Sequence, residues 1–312
     1  MNLLACPCLS ALLLAVVVFL PTSASAGMSM EEVKVFEVYK AKALKGDLLA
    51  QGNLGNCYDN GEGVAKDQVE AVKWWRKAAD QGHAQAQYHL GFSYLNGAGV
   101  AKDAGEAVKW WRKAADQGHA QAQTHLGFSY LNGEGVAKDE VEAVKWWRKA
   151  TDQGNAWAQY SLGGCYHNGA GVAKDEVEAV KWWRKAADQG NSWAQYSLGV
   201  SYLKGAGVAK DEVEAVKWWR KSADQGYAWA QYSLGGCYHN GAGVAKDEVE
   251  AYAYYNLAGI TNEDARKSLA ILEKEMSLDV RLRGQQRTKE LHKEIDAKIA
   301  AKKAEDLKKA VK

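Results

Sequence analysis

The side chains that could carry chemistry in this chain are few, and they return at fixed intervals. His83 and His119 stand 36 positions apart, as do His89 and His125. Repeated imidazoles suit a transition-metal ion, but stacked helices set successive copies ~10 Å apart, and no carboxylate or thiol recurs at a spacing that would complete the ligand set. Ser201 and Lys204 satisfy the Ser-x-x-Lys pattern of acyl transfer to a serine, yet the chain contains no Lys-Thr-Gly to accompany it. Cys57, Cys165 and Cys237 share one position of the repeat, where other copies carry Ser93, Ser129 and Ser201. An odd number cannot pair completely, and equivalent sites in stacked helices lie beyond the reach of a disulfide, so these thiols read as small buried residues. The Gly-x-Gly turns lack the spacing and the preceding strand of a nucleotide loop. No catalytic residue, metal ligand set or cofactor site is assigned on this basis.

The interval itself decides the architecture. From Asp47 to Asn262 a 36-residue unit is written six times, with Leu-Gly returning at Gly55, Gly91, Gly127, Gly163, Gly199 and Gly235. A unit this short cannot bury its apolar face alone, so the copies must stack. In the unit from His119 to Gly154, Ala122, Leu126, Gly127 and Tyr130 fall on one stripe of a helix over roughly Ala120 to Leu131. A glycine inside that helix costs ~1 kcal/mol relative to alanine, which predicts the close approach of another backbone at Gly127. Gly133-Glu134-Gly135-Val136 reverses the chain. Asp139 and Glu142 then predict a reciprocal capping box at the second helix, repeated at Asp67/Glu70, Asp103/Glu106, Asp175/Glu178, Asp211/Glu214 and Asp247/Glu250. Ala143, Trp147 and Ala150 mark its buried face, with Trp146 on the flank offering its indole N–H to water or a carbonyl. Lys145, Arg148 and Lys149 take the solvated face, and Gly154 supplies a left-handed cap.

Composition agrees with an all-α chain. Two prolines, 31 glycines and 47% hydrophobic residues in 312 leave enough apolar mass for a continuous core, and a net charge of +2 gives no reason to expect nucleic acid. From Arg281 onward the balance is 11 − 5 = +6. Residues 1–26 read as a secretory leader: Leu9 to Leu20 is too short to span a bilayer comfortably, and Pro21 and Ala24-Ser25-Ala26 place cleavage before Gly27. No Lys or Arg precedes the apolar run, so the α-amino group alone supplies the positive end. Leu4-Ala5-Cys6 faintly resembles a lipidation site but precedes the apolar run. Cys6 and Cys8 would leave with the leader. The mature chain is expected to be exported, periplasmic or secreted, without a membrane span.

Ala-x-x-x-Leu-Gly-x-x-Tyr over Ala158 to Tyr166, then Gly-x-Gly-Val, then Ala-x-x-Trp-Trp-x-Lys-Ala over Ala179 to Ala186, resembles the Sel-one-like repeat family (SLR), cousins of the tetratricopeptide repeat. The likeness covers about 216 residues. It implies a right-handed α/α superhelical solenoid of tetratricopeptide-like helix-turn-helix repeats, its concave wall made of first helices, serving as an adaptor for a protein or peptide. A cysteine-rich branch of the family is described as penicillin-binding. That branch pairs cysteines within each hairpin, whereas Ala150 and Ala186 stand at the second position here. A cell-wall-related enzyme or ligand-binding protein is therefore the first alternative, and a structural spacer in an envelope assembly the second.

The ends read as caps. Residues 27–46 form a half-repeat with Ser29-x-x-Glu32 as its capping box and Tyr39 at the core Trp position. Residues 263–312 form capping helices in which Leu291, Ile295, Ile299, Leu307 and Val311 cover the last repeat, ending in a basic tail.

The six copies also differ among themselves, and along the first helix the differences fall at 85, 88, 89, 92, 95 and 96 and their equivalents, one helical face opposite the packed one. The second and third units present Gln85, Tyr88, His89, Phe92 and Leu95, then Gln121, Thr124, His125, Phe128 and Leu131. The last three present Trp157, Tyr160, Ser161 and His167, then Trp193, Tyr196, Ser197 and Leu203, then Trp229, Tyr232, Ser233 and His239. These last twelve are the candidate binding residues, because aromatic rings with polar handles give large contact area at low entropic cost. Trp157, Trp193 and Trp229 read equally well as packing between neighbouring first helices.

Overall fold

The computed structural model describes residues 29–310, and every regular element among them is an α-helix. The expected leader and Val311 lie outside the described residues. The chain divides into two compact units after Gln81.

The first unit holds α1 (Met30–Ala43), α2 (Leu48–Asn60) and α3 (Gln68–Asp80), packed in sequence. Ser29 and Glu32 close a full capping box on α1: each accepts the other's backbone N–H, at 3.1 and 2.8 Å. Tyr39 packs against the core of this unit, but Phe36 is the more deeply buried ring. Phe36 is buried and meets Tyr58 edge-on at 5.5 Å, while Tyr39 is only half-buried. Phe36 stands where the repeat carries Val72.

The second unit continues as α4 (Ala84–Asn96) with α5 (Ala104–Asp116), α6 (Ala120–Asn132) with α7 (Glu140–Asp152), α8 (Ala156–Asn168) with α9 (Glu176–Asp188), α10 (Ser192–Lys204) with α11 (Glu212–Ala223) and α12 (Ala228–Asn240) with α13 (Glu248–Ala258). Each helix packs on its partner, and the second helix of each pair packs on the first helix of the next, which is the α/α solenoid of helix-turn-helix repeats. α14 (Glu263–Glu275) and α15 (Leu278–Ala310) follow.

Two glycine positions explain the spacing. A Cβ on Gly127 would lie 2.4 Å from Nε1 of Trp147, which is fully buried. The approach that sequence assigned to a backbone is thus made by an indole from the same repeat, and Gly91 with Trp111, Gly163 with Trp183 and Gly199 with Trp219 repeat it. Backbone approach occurs instead in the turn. Gly135 has φ 72°, and a Cβ there would meet the Ala104 carbonyl of the preceding repeat at 2.1 Å, so both conformation and space demand glycine.

The second helices are capped, but the reciprocal box does not form. Asp139 accepts the Glu142 N–H at 2.9 Å, while its own backbone N–H is already given to the Tyr130 carbonyl at 2.9 Å. With that donor committed, the Glu142 carboxylate pairs with Lys145 at 2.9 Å instead. Trp146 departs from expectation too: it is buried beneath the Lys149 ammonium, 3.9 Å from its ring, and its indole N–H has no partner. Trp182 and Trp218 repeat both features.

Polar ties join one repeat to the next. Gln153 donates to Gln123 at 2.9 Å, and Gln123 donates to the Ala115 carbonyl of the previous repeat at 3.1 Å. Arg148 reaches forward to the Tyr166 hydroxyl at 3.1 Å. At the C-terminus Tyr254 and Tyr255 replace the Trp pair and are buried, Tyr254 among Leu257 and Leu291 and Ile295 of α15, Tyr255 among Tyr252, Leu272 and Met276. Ile299 and Leu307 do not join that cover and stay exposed. Beyond Ile295 the helix is held by polar contacts, Lys298 to Asp224 at 2.8 Å and Lys302 to Gln225 at 2.6 Å.

Candidate functional site

The second helices position the first. Trp183 lies over Gly163 and donates its indole N–H to the Tyr160 carbonyl at 3.2 Å; Trp219 does the same to Tyr196 at 3.1 Å. The segments that carry Tyr160 and Tyr196 are therefore each registered against a core tryptophan, while Tyr255 takes that place over Gly235 in the last repeat.

Those rings form a row. Trp157 lies 6.2 Å from Tyr160 and 6.3 Å from Trp193, Tyr160 lies 6.2 Å from Trp193, and Trp193 lies 5.1 Å from Tyr227. Tyr196 meets Tyr227 at 5.4 Å, and Trp229 meets Tyr232 at 6.2 Å. Trp157, Trp193 and Trp229 remain 49%, 43% and 44% exposed, so their rings lean on aromatic neighbours without entering the core. The tyrosines are deeper. Tyr160 hydrogen-bonds Ser197 and Tyr196 hydrogen-bonds Ser233, each tying one repeat to the next, and burial pushes both phenols above their usual titration range. Tyr232 packs on Tyr255 at 5.7 Å.

The rest of the twelve divide. Ser161 is buried, 8% exposed, and its hydroxyl has no partner. Leu203 packs against the core of its own hairpin. His167 leans on Trp183 at 5.4 Å and binds Glu176 through Nδ1 at 2.6 Å, while Nδ1 of His239 is buried without a partner. Leu203, His167 and His239 sit near the turn end of the first helix, away from the Trp and Tyr positions, which lie in its first two turns.

Tyr227 was missed. It occupies the N-cap position of α12 without accepting a cap hydrogen bond, and its ring closes the gap between Trp193 and Tyr196 while burial pushes its phenol up to about 12. In the three preceding repeats that position holds His119, Asn155 or Asn191, whose side chains do cap their helices, so the exchange of a capping residue for an aromatic was the signal available. A hollow of about 520 Å³ lies between Trp193, Tyr227 and Trp229 and the turn at Asn262. Another, of about 410 Å³, lies beside Trp157, with Thr124 and His125 in its lining.

The histidines are not arranged for catalysis. His125 stacks on Trp111 at 5.2 Å and meets Phe92 at 4.6 Å, and burial pushes its imidazole down to about 4, so it is neutral at physiological pH. His119 accepts the Ala122 N–H through Nδ1 and bonds Gln85 through Nε2 at 2.8 Å. Among the described residues no group of three His, Cys, Asp or Glu is placed to hold a metal ion. Ser201 is buried on α10 while Lys204 points to solvent, an arrangement that gives a serine nucleophile neither base nor access. Cys57, Cys165 and Cys237 are free and buried, and burial pushes the thiols of Cys165 and Cys237 up to about 11. No described helix is long and apolar enough to cross a membrane.

What the geometry offers is a repeat scaffold with an aromatic face, and comparison with known proteins names its class. The model of the Sel1 repeat matches residues 48–83, 84–119, 120–155, 158–191, 194–227 and 230–259. The chain belongs to the Sel1 repeat family, whose members are generally non-catalytic scaffolds with a fold suited to protein interaction. It is similar to a protective antigen present in uropathogenic Escherichia coli strains and displaying an SLR fold, at 34% identity and a TM-score of 0.81 over 88% of this chain and 59% of the antigen. This chain thus spans less than two thirds of that protein. It is also similar to a Sel1 repeat protein from Oxalobacter formigenes, at 35% identity and a TM-score of 0.66 over 74% of this chain and 97% of that one. No curated protein matches the chain.

Proposed function

We propose that this chain is an exported, non-enzymatic scaffold that binds a protein or peptide segment along the row from Trp157 to Trp229. One observation carries the reading: three tryptophans at successive repeats stay more than two fifths exposed while touching their aromatic neighbours. Solvent-facing indoles at successive repeats forgo burial that the core tryptophans obtain, and a polypeptide laid across them would recover it. Hollows beside Trp157 and between Trp193 and Trp229 offer places for its side chains. Export rests on the sequence of residues 1–26, and the likeness to a protective antigen is in keeping with it.

Two measurements test the reading. Panning a displayed random-peptide library on the chain and on a Trp157→Ala/Trp193→Ala/Trp229→Ala variant should enrich sequences on the parent alone; equal enrichment on both would remove the row from consideration. The intact mass of protein recovered from the producing cell should correspond to a start at Gly27, and a retained Met1 would contradict export by this leader.

A further inference from the structure

In the second unit α5, α7, α9 and α11 all run out into Asp-Gln-Gly, at 116–118, 152–154, 188–190 and 224–226. The glutamine is fixed. Its amide nitrogen donates to a glutamine of the first helix, Gln117 to Gln87 at 2.7 Å, Gln153 to Gln123 at 2.9 Å, Gln189 to Gln159 at 2.7 Å and Gln225 to Gln195 at 2.8 Å, which leaves its oxygen as an acceptor. The aspartate stands where the helix carbonyls are already negative, and a carboxylate there opposes the macrodipole. The lysine one turn earlier is turned onto a ring instead: Lys113, Lys149, Lys185 and Lys221 lie 3.8, 3.9, 4.0 and 3.9 Å over Trp110, Trp146, Trp182 and Trp218. One of the four ends is occupied. Lys298 of α15 pairs with Asp224 at 2.8 Å, and Lys302, one turn on, donates to the Gln225 oxygen at 2.6 Å. Asp116, Asp152 and Asp188 are exposed with no ion pair among the described residues, and the space beside Gly118 and Gly154 is open.

We propose that Asp116 and Asp152, with the Gln117 and Gln153 oxygens beside them, dock a lysine-rich helix of a partner protein. The occupied end displays the chemistry: one ammonium on the carboxylate and a second, four residues later, on the amide oxygen. Asp116 and Asp152 belong to successive repeats and present the same carboxylate, amide oxygen and helix C-terminus, all of which favour a cation. Neighbouring groups do not oppose it. Lys113 and Lys149 are engaged by their rings, and His119, beside Gly118, has its imidazole lowered by burial and carries no charge at neutral pH. The surface shares no residue with the row from Trp157 to Trp229, and so adds a second place of contact to the function proposed above.

The probe is a peptide amide with the sequence of residues 292–310, titrated at low ionic strength against the full chain while the backbone amides of Gly118 and Gly154 are followed by NMR. Both resonances should shift. Asp116→Asn/Asp152→Asn removes two exposed charges from helix ends where a neutral residue suits the dipole better, so the variant keeps its fold and should bind the peptide about tenfold more weakly. A peptide carrying Lys298→Gln and Lys302→Gln should lose about as much, and raising sodium chloride from about 0.02 to about 0.3 M should weaken the parent pair. Trp157→Ala/Trp193→Ala/Trp229→Ala should bind the peptide as the parent does, so failure of the row and failure of these helix ends are told apart. Unshifted Gly118 and Gly154 signals, undiminished binding by the Asn variant, or equal affinity for the two peptides would each overturn the proposal. Self-association of the chain alone that shifts the same glycines and disappears on Lys298→Gln/Lys302→Gln would also overturn it, by giving these ends to the tail of a second copy.

Discussion

Trp183 donates its indole N–H to the Tyr160 carbonyl at 3.2 Å while its ring lies where a side chain on Gly163 would have to be. One residue of the second helix thus sets both the distance and the register of the first. Trp183→Ala should remove packing and register together, destabilising the chain by ~3–5 kcal/mol. Trp183→Phe keeps most of the ring and loses the N–H, at a cost of about 1–2 kcal/mol. Gly163→Ala should rival the larger loss, because its Cβ would lie 2.5 Å from the indole. Urea unfolding of the three variants gives the order, and a near-neutral Gly163→Ala would show that the indole can move aside.

The exposed tryptophans and the half-buried tyrosines should separate on mutation. Replacing Trp157, Trp193 and Trp229 with Ala should leave the melting temperature within a few degrees of the parent and remove peptide binding, since anchoring aromatics commonly contribute 2 kcal/mol or more each. Replacing Tyr160 and Tyr196 should lower stability by about 1–3 kcal/mol each, because each gives up packing and a bond to Ser197 or Ser233 in the next repeat. Calorimetry beside a binding assay separates the two sets; a Trp triple variant that melts early would place those rings in the fold.

His125 makes stability depend on pH. Unfolded, it takes up a proton near 6.5; folded, burial against Trp111 and Phe92 withholds that proton until about 4. The unfolded chain therefore binds more protons between these values, so the contribution is fully present above pH 6.5 and is lost as pH falls toward 4. Its size is about 3 kcal/mol at most. His83 and His119, lowered by burial, slope the same way. Subtracting the pH profile of His125→Gln from that of the parent isolates the residue, and a flat difference between pH 7 and 4 would contradict the assignment.

The thiols should be silent until the chain opens. With Cys165 and Cys237 held near 11, little thiolate exists at neutral pH, and burial denies access to what there is. A thiol reagent should react with the native chain no faster than it unfolds. Converting all three cysteines to Ser, the residue other repeats carry, should cost about 1–2 kcal/mol in total.

The period of 36, the Leu-Gly and Trp-Trp pairs and the Asp caps were legible because each is local: a stripe, a turn or a cap is set by residues a few positions apart. They gave the hairpin, the stack and the face on which the copies differ. What sequence could not assign were relations across the hairpin or between repeats. Nothing local says that the ring over Gly127 comes from Trp147, or that the Asp139 N–H is taken by Tyr130 and leaves Glu142 to Lys145. The same holds for burial. Trp157 and Trp147 are one residue type in one repetitive chain, yet one stays 49% exposed and the other is fully buried, because exposure depends on which helix lies opposite. Tyr227 joins the row only because stacking brings Trp193 of one repeat against the residue at the N-cap of the next first helix. A helix fixes neighbours three and four residues away; neighbours 36 away are fixed by how the repeats stack, and that is where this protein keeps its candidate site.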